Sequence, residues 1–312
     1  MSRRRLLAAA GLAATGCASE PAGIPAAEPA EFATPWRSVI GGFLAPPTPA
    51  FGLPARPGSG AFVKWIAPAA IALRGNDLLV ADLASGRLWR ADLGLQSVSA
   101  IAGAPVGPGT ALAIGPDLSA WVLDVAARQV LRFARDGRLL QTFRAGTPTP
   151  GTMALADSGA TLIVADAGLA QWAELRSAGA IVPTVLPSRA GQRVTGTDAI
   201  AVGREAVYLL DRAAARVHRV ARDGRVLASL GEGTLKQPLA LAVDRFERVF
   251  VADAAGPALH VLHDGEAPLT LDAAALRVQQ IDGIAVDERV LAVADRGLGQ
   301  VQLLTLRGGG LR

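Results

Sequence analysis

Six aspartates stand in one register through the chain: Asp82, Asp124, Asp166, Asp211, Asp253 and Asp295, at spacings of 42, 42, 45, 42 and 42 residues. Each closes a short apolar run, as in "LLVAD", "LIVAD" and "VFVAD". A recurrence at one period constrains the fold more than any composition does. A unit of about 42 residues that cannot bury its own apolar face must stack on copies of itself.

More than the acid repeats. An apolar-Ala-apolar triplet precedes it, beginning at Ile71, Leu112, Met153, Ile200, Leu241 and Ile284. Six residues after each acid stands Leu88, Val130, Trp172, Val217, Leu259 or Val301. A glycine follows at 94, 137, 179, 224, 265 and 308, three times in an Asp-Gly pair that favours a tight hairpin. Each unit therefore reads as four short antiparallel strands, which is one blade of a β-propeller. The central alanine of the triplet suits innermost strands crowded around an axis. The last unit lacks a fourth strand, and "GAFVKWI" at 60–66 is expected to supply it and close the ring.

These motifs resemble the NHL repeat, whose pattern is nearly written out in "QPLALAVDRFERVFVADAAGPALHVLHDG". The resemblance covers roughly residues 60–307. It implies an all-β, six-bladed NHL-like propeller with four antiparallel strands per blade. It implies no single activity, because propellers of this kind include binding scaffolds, lyases and lactonases.

The N-terminus reads as an address. Arg3, Arg4 and Arg5 precede an apolar stretch at 6–14, about half the roughly 20 residues needed to span a bilayer. "ATGC" follows, and Cys17 is the only cysteine. The segment resembles a bacterial lipobox, with Ala14 in place of the usual leucine. The alternative is a cleaved signal peptide with an incidental cysteine. "SRRRLLA" also resembles a twin-arginine signal, with ordinary Sec export as its alternative. Residues 1–16 are thus expected to be a signal peptide and Cys17 the lipidation site. Ala18, not aspartate, follows Cys17 and favours the outer membrane. Residues 17–59, with nine of the twenty prolines between 18 and 58, are expected to be an extended tether before a propeller at 60–312. Within it, "WRSVIGGFL" at 36–44 is apolar enough to pack back on the domain.

Export also alters the charge. Losing three of the 31 basic residues leaves 28 against 27 acids, a near-neutral chain with no basic footprint for nucleic acid. The expected partners are the membrane, through the anchor, and a periplasmic protein; the propeller is expected to be monomeric.

Chemistry is harder to find. Six equivalent acids suit a turn-anchoring role, because every blade must turn there, whereas catalysis needs one or two. His218 and His260 occupy one position in adjacent blades, as a zinc pair or as hydrogen-bonded strand residues; Gln302 stands there in the last blade. His263 is expected in an exposed turn. The one asparagine, Asn76, falls in a hairpin, without the Glu-Asn-Asp metal set of the lactonases that the fold resembles. No Gly-rich phosphate loop, Ser-His-Asp set or Cys-His pair is recognisable, and no cofactor is indicated. Thr110, Asp198 and Asp282 enter three of the triplets and are the candidate ligands at the channel mouth. Asp198 and Asp282 are the candidates for holding a divalent cation. The loop 187–196, with Arg189 and Arg193, is the candidate protruding contact. The leading reading is a membrane-anchored binding or scaffold lipoprotein; the alternative is a metal-dependent hydrolase or lyase of lactonase-like type.

Overall fold

The computed structural model describes residues 32–45, 60–144, 151–155, 161–165, 171–176, 181–185 and 196–307. Its regular structure is strand apart from one helical turn. The first part holds β1 (Ala33–Val39), β2 (Gly41–Leu44), β3 (Phe62–Lys64), β4 (Pro68–Arg74), β5 (Asp77–Asp82), β6 (Arg87–Asp92) and β7 (Ser97–Ala100). Three four-strand units follow: β8 (Ala111–Ile114) to β11 (Leu139–Arg144) through β9 (Ala120–Asp124) and β10 (Gln129–Phe133); then β12 (Thr152–Leu155), β13 (Thr161–Ala165), β14 (Gln171–Arg176) and β15 (Ile181–Val185); then β16 (Ala199–Val202), β17 (Val207–Asp211), β18 (Arg216–Val220) and β19 (Val226–Leu230). The last part holds β20 (Pro238–Val243), β21 (Val249–Asp253), β22 (Ala258–Leu262), β23 (Leu269–Asp272), a single helical turn α1 (Ala273–Leu276), β24 (Gly283–Asp287), β25 (Val290–Asp295) and β26 (Gln300–Leu306).

Each unit folds as an antiparallel meander because its runs are short, alternate apolar with polar and are cut by tight turns. The inner strands β4, β8, β12, β16, β20 and β24 contact one another in that cyclic order. The result is an all-β propeller around a central channel. Its core lies in layers between neighbouring sheets rather than at one centre. One layer packs Leu79 and Ala81 of β5 against Val122 of β9, and another packs Tyr208 of β17 against Val249 and Val251 of β21. Each fully buried Leu, Val or Ile there contributes about 1.5–3 kcal/mol. At the axis, alanine recurs as Ala72, Ala113, Ala154, Ala201, Ala242 and Ala285. Crowding between neighbouring inner strands shows at Gly283, where a Cβ would stand 2.1 Å from the Ala69 carbonyl oxygen.

Two expectations are corrected at the N-terminal side. The fourth strand beside β26 is β1, paired from Ala33↔Leu306 to Val39↔Val301, and not residues 60–66. β3 instead pairs with β2, which runs parallel to β7. Five sheets therefore have four strands, while the sheet built on β4 has six, in the order β3-β2-β7-β6-β5-β4. The physical reason is length and burial. β1 buries both its ends, Ala33 and Val39, and tolerates Pro35 because it is an edge strand. Within 60–66 the alternation turns Trp65 inward, fully buried between the first and last sheets. Residues 33–44 thus form strands inside the stretch expected to be tether.

Candidate functional site: the channel and its two mouths

The repeated aspartates point at backbone. Asp82 accepts the N–H groups of Ile66 (3.1 Å), Ala67 (2.8 Å) and Ala84 (3.2 Å). Asp253 accepts those of Lys236 (2.6 Å), Gln237 (2.9 Å) and Ala255 (2.9 Å), and Asp295 those of Gln279 (2.6 Å), Gln280 (3.3 Å) and Leu298 (3.1 Å). Asp211 accepts from Ala214 (2.9 Å) and Asp124 from Ala127 (3.0 Å). In the first three, one carboxylate ties the loop ahead of an inner strand to the turn closing the second strand. Burial by itself would raise the Asp253 carboxyl; the three N–H donors and nearby His260 offset this and hold it below the usual range. Asp166 lies outside the described residues.

The histidines face these acids separately. His218 Nδ1 lies 3.2 Å from Ser229 Oγ, with Nε2 3.7 Å from Asp211. His260 Nδ1 lies 2.9 Å from Thr270 Oγ1, with Nε2 3.9 Å from Asp253. At the equivalent place Gln302 accepts from Ser38 Oγ (2.6 Å). Sequence spacing could not show these hydroxyls, which arrive from the outermost strands. A hydroxyl–imidazole–carboxylate line does therefore exist twice, but it braces the second, third and fourth strands of its sheet. Burial lowers both imidazoles below the ordinary histidine value, opposed by their aspartates. His263, expected exposed, is half-buried with Nδ1 3.5 Å from Glu266.

The central channel encloses about 830 Å³ and is bounded by the inner strands. At the mouth where those strands begin, the structure brings Thr110, Asp198 and Asp282 to one cavity. Each is bonded to its own loop. Thr110 Oγ1 accepts the Gly107 N–H (2.9 Å) and Asp198 the Arg212 N–H (2.9 Å). Asp282 accepts the Arg296 N–H (3.0 Å) and pairs with its guanidinium (2.9 Å). Arg212 in turn donates to the Leu239 carbonyl (2.6 Å). Among the described residues no group of three or more His, Cys, Asp or Glu is placed to hold a metal ion. Asn76 sits in the β4–β5 turn, where its carbonyl accepts the Leu93 N–H (2.8 Å).

The far mouth, where the inner strands end, carries charges that no repeated motif marks. Arg74, Arg204, Arg245, Asp287 and Glu288 all line it. Asp287 accepts the Gly75 N–H (2.5 Å), joining the last sheet to the first. Glu247 joins the sheets of β16 and β20 in the same way. Its Oε1 accepts the Arg204 N–H (2.5 Å) and its Oε2 the Tyr208 hydroxyl (2.7 Å). Burial and this carboxylate hold the Tyr208 phenol well above its usual range. These residues sit in hairpins of variable sequence, so no periodic signal marks them. Cys17, Arg189 and Arg193 lie outside the described residues, and among those described no helix is long and apolar enough to cross a membrane.

No family model matches the chain, and no curated protein matches it by sequence. Solved structures do. Virginiamycin B lyase from Staphylococcus aureus is similar at 12% identity and a TM-score of 0.54, covering 78% of this chain and 96% of its own. A protein of unknown function from Bacteroides thetaiotaomicron is similar at 13% identity and a TM-score of 0.59, covering 78% and 70%. Hydrazine synthase from Kuenenia stuttgartiensis is similar at 13% identity and a TM-score of 0.55, covering 80% and 79%. At such identities the likeness is one of fold, and it agrees with the ring of sheets: the chain is an all-β propeller.

Proposed function

We propose that this chain is an exported lipoprotein whose propeller, of NHL type and six blades when the six-stranded sheet is counted as one, serves as a binding module facing the periplasm. Residues 1–16 direct export, Cys17 carries the lipid, and the Pro-rich stretch before β1 holds the propeller off the outer membrane. One observation carries the binding role. Among the described residues, five of the repeated acids and both buried histidines are consumed in holding strands and turns together, while the channel of about 830 Å³ keeps charged side chains at its mouths. A cavity of that size is within the range that holds small organic molecules.

Two measurements test the reading. Fractionation of cells expressing the Cys17→Ser variant should find it outside the membrane pellet; retention there would sink the anchor. A cross-linked pull-down from native membranes should recover a ligand or partner that protects loops at a channel mouth from proteolysis. Protection confined to the outer rim would argue against the channel.

A further inference from the structure

Most charged side chains along the channel are already spent. At the mouth where the inner strands begin, Asp198, Arg212 and Asp282 each have a partner within the protein. At the far mouth, Asp244 is neutralised by Arg248 at 2.6 Å. Three guanidinium groups there are different. Among the described residues, the side chains of Arg74, Arg204 and Arg245 have no hydrogen bond or ion pair, although all three line the cavity. Arg204 and Arg245 come from the adjacent sheets of β16 and β20, and Arg74 from the sheet of β4 across the channel. The Arg245 guanidinium lies 4.8 Å from the centre of the Phe246 ring, a stacking contact that restricts it without neutralising it. Asp287 and Glu288 stand on the sheet of β24, between the sheets that carry Arg245 and Arg74.

Unpaired guanidiniums beside a cavity walled by alanines and strand edges are suited to an anionic oxygen, because such hydrogen bonds are charge-assisted and can be bidentate. The two carboxylates on the sheet beside that of Arg245 disfavour a polyanion. We infer that the far mouth binds an organic molecule with a single anionic group, carboxylate or phosphate monoester, seated against Arg204 and Arg245 with its apolar body in the channel. This deepens the binding reading by naming the ligand class, and it does not depend on the lipid anchor.

Calorimetric titration of the full chain with phenyl phosphate and benzoate tests it, with phenol and inorganic phosphate as probes lacking the charge or the body. The expected result is saturable one-to-one binding of at least one aryl anion, at least tenfold tighter than phenol or phosphate. Arg204→Gln and Arg245→Gln should each weaken it tenfold or more. Arg225→Gln, which removes an exposed partner of Asp223 away from the channel, should leave it unchanged. Thermal midpoints check that the variants fold. Absence of saturable aryl-anion binding, or equal binding by parent and variants, overturns the inference. A partner or ligand captured from native membranes whose binding ignores Arg204 and Arg245 would overturn it while leaving the binding role standing.

Discussion

Asp253 receives the Lys236 N–H at 2.6 Å across 17 residues of chain, so the end of β21 holds the loop that leads into β20. The same carboxylate takes the Gln237 and Ala255 N–H groups, and it is almost fully buried. Removing it strands three donors. Asp253→Ala should cost about 2–4 kcal/mol, and Asp253→Asn less, since one oxygen remains as acceptor. Urea unfolding monitored by tryptophan fluorescence reads both. Because the folded carboxyl is held below its ordinary 3.8, its contribution is present above that pH and is lost as pH falls below it. The parent should therefore lose more stability than Asp253→Ala on acidification below pH 4.

His218 gives the complementary pH signature. Burial lowers its folded pKa below 6.5, so the unfolded chain takes up the proton first. The neutral ring's stability contribution is present above pH 6.5 and declines as pH falls toward the folded value. Gln302 fills the equivalent position in the last sheet, so His218→Gln should fold. It should match the parent near pH 8 and show a smaller loss of thermal midpoint by pH 5. A parent midpoint that is flat between pH 8 and 5 would contradict this.

Arg248 clasps the ring where it closes. It bonds Asp244 at 2.6 Å, donates to the Arg307 carbonyl (3.0 Å) beyond β26, and lies 5.0 Å from the Phe32 ring ahead of β1. Arg248→Ala leaves Asp244 buried without its cation and should cost about 3–5 kcal/mol. Hydrogen exchange should show β1 and β26 losing protection first. The double variant Asp244→Asn, Arg248→Met should recover part of the loss.

Gly203 is fixed by a neighbour's side chain. A Cβ there would stand 2.5 Å from both Glu247 oxygens, which are held by Arg204 N–H and Tyr208. Gly203→Ala should displace that carboxylate and cost about 1–3 kcal/mol. In a Glu247→Ala background the same change should cost little. A double-mutant cycle by urea denaturation measures the coupling.

Repetition made the propeller legible. The period of about 42 residues, the six acids and the alanine triplets each depend on short-range strand and turn chemistry, repeated wherever a sheet turns. The closing strand is β1 rather than residues 60–66 for a physical reason. Residues 33–39 and 60–66 are both short, apolar and near the same edge, and only the competition for β26 separates them. β1 wins with a longer register and two buried ends, which leaves Trp65 to plug the seam between the first and last sheets. The His218–Ser229 pairing was equally hidden, since its partners lie on separate strands, 11 residues apart.

The sequence alone determined that similar units of about 42 residues recur, that an aspartate follows the same apolar run in each, and that the N-terminus resembles an export signal. Those properties are local and recur. The tertiary structure decided which strand closes the ring, which charged groups are already paired, and which three guanidiniums are left at the channel's far mouth. Pairing is settled by distances between sheets that are remote in the chain. A periodic pattern records what every blade shares and is silent on where neighbouring blades differ.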